Sequence, residues 1–144
     1  MNLVFNNGFE LECLEVSNGS IFYDGVNREV VDVYVSKHII SLDDLDQLLS
    51  NEKATNYLQC FFNDYDSEEP SVFENYTIKK ELSVISVNYD VDENGNAIKE
   101  ERIFFSLCKL TQAEIELLQT KAMLANAVEN GVISQEQANS ILGI

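Results

Sequence analysis

Only one stretch of the chain matches a chemical motif letter for letter. Asp90-Val91-Asp92-Glu93-Asn94-Gly95-Asn96 runs on to Glu101. This spacing is that of the calcium loop of an EF-hand. Asp90, Asp92, Asn94 and Glu101 would offer the oxygen ligands, and Gly95 would allow the sharp bend. That chemistry needs a helix on each side. The flanks here, "ELSVISVNY" and "KEERIFFSL", alternate with the period of two that marks strands. Ala97 also stands where such loops carry a larger aliphatic residue. The expected structure is therefore a β-hairpin turning on Asn94-Gly95, its carboxylates facing water. No metal is assigned; the calcium loop is retained as the lesser alternative.

The remaining candidates for chemistry are thinner. His38 is the single histidine, and no spacing pairs it with a serine or cysteine nucleophile. Among 25 acidic residues some carboxylate pair always invites a glycosidase reading, so the signal is nearly empty. Cys13, Cys60 and Cys108 are odd in number and lack metal-ligand spacing, which reads as small buried thiols. No glycine-rich loop follows a strand and opens a helix, so nucleotide binding has no support. Tyrosines on a β domain invite sugar binding, but core and cross-strand pairing explains aromatics more simply. The expectation is a non-enzyme with no catalytic residue and no cofactor.

Function classes narrow further with charge. The chain has 144 residues, the size of one domain, and carries a net charge of −16 from 25 acidic and 9 basic residues. Phosphate backbones and anionic membrane surfaces are read by clustered Lys and Arg, so neither nucleic acid nor membrane is an expected partner. No apolar run reaches the 18 residues that suggest a spanning helix. The start, "MNLVFNNGFELE", lacks the pattern of a signal peptide. Hydrophobic residues make up 45%, enough for a packed core.

The elements that would position these residues read in two styles. Met1 to Phe5 and Phe9 to Val16 alternate as strands about Asn6-Asn7-Gly8. Turns are expected at Asn18-Gly19 and Asp24-Gly25, with strands at 21–23 and 29–36. Ser41 caps a short helix over 42–50, with leucines at helical spacing. Strands follow at 57–62, 76–91 and 98–110, and 63–71 is a polar loop holding the only proline. From Thr111 the pattern becomes helical. Thr111-Gln112-Ala113-Glu114 and Ser134-Gln135-Glu136-Gln137 are capping boxes, while Gly131 and Gly143 are stops. On the helix 112–129, Ile115, Leu118, Ala122 and Ala125 form one stripe, and Leu117, Leu124 and Val128 a second. One stripe would pack on the protein's own sheet and the other would meet a partner. Residues 131–143 would pack back through Val132, Ile133, Ile141 and Leu142.

The ending Gly131-Val132-Ile133-Ser134-Gln135-Glu136-Gln137, continuing to Ile141-Leu142-Gly143, resembles the C-terminus of small Firmicutes phage and prophage proteins. Among these are the XkdX-like proteins of tail modules. The strand at Arg28 to Val35 and the helix at Asp43-Asp44-Leu45 resemble small prophage proteins too. The resemblance implies a virion-associated structural protein of the tail or baseplate region. Its partners would be other virion proteins or copies of itself, and its location the virion or host cytoplasm.

The expectation is thus an α+β protein, mainly an antiparallel β sandwich or barrel-like domain. It has one short inserted helix and a C-terminal helical hairpin. It forms a single domain over 1–144, β-rich over residues 1–110 and helical over residues 111–144. The interaction residues are Ile115, Leu117, Leu118, Leu124, Val128, Ile133, Ile141 and Leu142. The alternative is an acidic phage-encoded inhibitor of a host defence protein, acting as a nucleic-acid mimic or a sponge for a small signal.

Overall fold

A computed structural model describes residues 1–62 and 69–143. The chain divides into two compact units, Met1–Lys109 and Leu110–Ile144. The first contains β1 (Asn2–Val4), β2 (Glu10–Glu12), β3 (Glu15–Tyr23), β4 (Val26–Ser36), α1 (Leu42–Leu49), α2 (Glu52–Thr55), β5 (Tyr57–Phe61), β6 (Ser71–Glu74), β7 (Ile78–Val91) and β8 (Ala97–Cys108). The second contains α3 (Gln112–Glu129) and α4 (Gln135–Leu142).

The strands of the first unit form two four-stranded sheets, ordered β2-β1-β5-β6 and β3-β4-β8-β7. Every pairing is antiparallel. Alternation decides which side chains enter the core. On β4, Val31, Val33 and Val35 are buried, while Asp32 and Tyr34 face the other way and are half-buried. Ile103, Phe105 and Leu107 of β8 join them. Leu3, Leu11, Leu58 and Phe73 enter the same core from the other sheet, and Leu45 and Leu49 of α1 complete it. The architecture is an α+β sandwich whose sheets do not close into a barrel.

Ser41 caps α1 as its sequence suggests, its Oγ accepting the Asp44 N–H at 3.1 Å. The inserted helical segment is two helices rather than one. Asn51 interrupts the chain and caps α2 through its side-chain oxygen, which accepts the Lys53 N–H at 3.2 Å.

Three local expectations are corrected. Phe9 to Val16 is not one strand, because the chain changes sheets within it. The Cys13 N–H donates to the Met1 carbonyl of the first sheet, and the Leu14 N–H to the Tyr34 carbonyl of the second. Asn18-Gly19 is not a turn but the middle of β3, with Asn18 opposite Val31 and Gly19 opposite Val30. The reversal comes at Asp24-Gly25, where both residues have positive φ, 53° and 84°. That is the two-residue turn whose twist suits an antiparallel pair. Finally, β6 is a strand the pattern did not announce, held by Phe73 opposite Leu58. Most of the expected loop over 63–71, residues 63–68, lies outside the described residues.

Candidate interaction surface

The C-terminal unit is two capped helices in contact with each other. Thr111 Oγ1 accepts the Glu114 N–H at 3.2 Å, and a Glu114 carboxylate oxygen accepts the Thr111 N–H at 2.9 Å. Ser134 and Gln137 repeat the exchange on α4 at 3.1 and 2.8 Å. Each box satisfies donors that a helix start leaves open. Between the helices Gly131 has φ 73°. Its N–H donates to the Val128 carbonyl, and the Val132 N–H to that of Ala127. This is a Schellman stop, and glycine takes its left-handed position without a Cβ clash.

Apolar side chains are spread all round α3, yet no residue of α3 is buried. Ile115, Leu124 and Val128 are half-buried; Leu117 is 48% and Leu118 52% exposed. Met123, which the stripes passed over, is 72% exposed. Each stripe holds both half-buried and exposed residues: Ile115 and Leu118 on one, Leu124, Val128 and Leu117 on the other. The packing expected of 131–143 also needs correction. Ile133 and Leu142 are half-buried, but Val132 and Ile141 are open. The reversal at Gly131 carries Val132 outward. On α4 the buried residue is Ala138, which shares a helix face with Leu142 four positions on.

The hairpin at Asp90–Glu101 is built from β7 and β8, so the helices an EF-hand requires are strands. Asp90 lies opposite Ile98 in register. Glu101 is three residues further along β8, so alternation points it to the other face, about 10 Å away along the strand. The Asp92 carboxylate accepts the Asn94 and Asn96 N–H groups, both at 2.9 Å. Asp90 accepts the Val91 N–H. Glu101 pairs with Lys37, whose hydrogen bond and charge hold its carboxyl below the usual glutamate range. Asp90, Asp92, Asn94 and Glu101 do not converge on a point. Among the described residues, no three His, Cys, Asp or Glu side chains group as a metal site would.

All three cysteines are free and buried. Burial pushes the Cys13 thiol up to about 12, with neighbouring Cys60 adding to the effect. Burial also raises Cys60 and Cys108. Thiols held protonated are poor nucleophiles. An open cleft of about 550 Å³ lies beside α1, lined by Phe9, Ile40, Asp44, Gln47 and Asn51 among others. Exposed His38 is not in its lining. No known protein family matches the chain, and no curated protein sequence is similar to it.

Proposed function

We propose that this is a phage or prophage virion-associated structural protein that acts by protein–protein contact, in the tail or baseplate region. The C-terminal helices are the assembly surface. The observation that carries the reading is the state of α3: 18 residues, apolar on every side, none of them buried. An isolated helix of this length is marginal in water, and most helical stability comes from packing a face against something. Leu117, Leu118, Met123 and Ile141 are the side chains a partner would cover. The C-terminal resemblance to tail-module proteins supplies the setting, and the charge of −16 favours a partner with basic groups at its rim.

The test is co-sedimentation with particles from an induced host. The full chain should travel with tail assemblies through a density gradient. A double variant, Leu118→Glu with Met123→Glu, should remain at the top of the gradient while keeping its far-ultraviolet spectrum. A wild-type chain that never leaves the soluble fraction defeats the reading.

A further inference from the structure

The two sheets have four edges, and they are not alike. β2 and β6 are three and four residues long, too short to template a neighbour. β3 carries Glu15 and a central Gly19, and glycine in a strand interior weakens pairing. β7 is different. It is 14 residues long and stands at the end of its sheet, with no strand on its outer side among the described residues. Its residues 82–89, "LSVISVNY", contain no charge, glycine or proline, in a chain of net charge −16. Val84, Tyr89 and Val91 are 45%, 54% and 60% exposed. A long, uncharged, β-prone edge of this kind pairs with another strand unless something blocks it.

β7 has two bulges, and they identify the partner. The register slips between Lys79 and Glu81 and again between Asn88 and Asp90. Lys80 and Glu81 together therefore face Ser106, and Tyr89 and Asp90 together face Ile98. Consider β7 against a second β7, antiparallel, about a two-fold axis perpendicular to the sheet. Such an axis keeps each side chain on its own face, so it must pass through a residue rather than between two. With the axis at Ile85, Lys80 lies opposite Asp90 of the second copy, and Glu81 lies opposite its Tyr89. The bulged pair at one end meets the bulged pair at the other, and opposite charges face each other at both ends. Moving the axis to Ser86 instead sets Leu82 against Asp90 and moves the opposite of Lys80 to Asp92, beyond the end of β7 at Val91. At the inner end of β7, Lys79 is already tied to Asp46 and Ser50 beside α1, so pairing stops there.

We infer that β7 is a self-pairing edge: two copies of this chain join β7 to β7 about Ile85, making one continuous eight-stranded sheet. This surface lies in the β unit and does not depend on the helical surface proposed above.

The experiment is sedimentation equilibrium of the full chain across a dilution series. The wild type should associate to twice the 16.3 kDa chain mass. Asp90→Lys alone and Lys80→Asp alone should each weaken association by about tenfold, because each sets like charges against each other at two symmetric places. The double exchange, Lys80→Asp with Asp90→Lys, should restore the dimer, which a variant that had merely misfolded would not do. The variant Leu118→Glu with Met123→Glu should leave the dimer intact. A wild type that stays monomeric throughout overturns the inference. So does a dimer indifferent to both single charge changes, or one lost with the α3 substitutions.

Discussion

Ser106 Oγ donates a 2.7 Å hydrogen bond to Asp32 Oδ1 across the β4–β8 pairing. The two residues are direct cross-strand partners, on the face of the sheet opposite Val31 and Phe105. Ser106 is 1% exposed, so its hydroxyl has little access to water. Removing it leaves a half-buried carboxylate short of a donor. Ser106→Ala should lower stability by about 1–3 kcal/mol, measured by urea unfolding. An unchanged midpoint would mean that water replaces the hydroxyl at no cost.

The thiols should be silent in the folded state. Cys13, Cys60 and Cys108 are all buried with raised pKa values. A thiol reagent at pH 8 should modify none of them natively and all three in denaturant. The same shifts set a sign for stability against pH. Folded thiols stay protonated where unfolded ones ionise, so their contribution is complete below the ordinary thiol value of 9.0. It is lost as pH rises from there toward about 12, the value for Cys13. Alkaline unfolding curves should show stability falling across that window.

Glu101 should titrate low because Lys37 is its partner. Nuclear magnetic resonance titration of the side chain should place it below an ordinary glutamate. Lys37→Met should return it to the ordinary range. The pair contributes above that range and is lost as pH falls through the lowered value. Calcium should not move the Glu101 signal, since Glu101 and Asp90 lie on opposite faces of the hairpin.

The capping boxes of the C-terminal unit should be measurable individually. Thr111→Ala removes the acceptor for the Glu114 N–H, and Ser134→Ala that for Gln137. Each should cost about 1 kcal/mol of local helix stability. Amide exchange should speed up in the first turn of the affected helix and not across β4 or β8.

Several features could be read from residue order alone because short-range physics settles them. Ser41, Thr111 and Ser134 cap helices with their own side chains, three residues from the donors they serve. Gly131 and Gly143 stop helices because glycine, having no Cβ, takes positive φ at little steric cost. The strand period on both sides of Asn94-Gly95 favours the hairpin over the calcium loop, and the flanks are indeed the strands β7 and β8. Asn18-Gly19 looked identical to a turn by the same local rules, yet it runs straight. Nothing within three residues of it reveals that the β4 strand lies alongside.

Residue order thus determined the start of α1, both ends of α3 and α4, the long alternating runs of β4, β7 and β8, and that the chain is strongly acidic. Those properties depend on neighbours in sequence. Tertiary structure alone decided that the chain switches sheets between Cys13 and Leu14, and that α3 buries none of its apolar side chains. It alone decided that the uncharged half of β7 lies at the end of its sheet, with no further strand beside it among the described residues. A strand's pattern reports how many of its faces are apolar but not how many of its edges are paired. Edge pairing is made by backbone groups that every residue shares, so only the arrangement of the other strands reveals it.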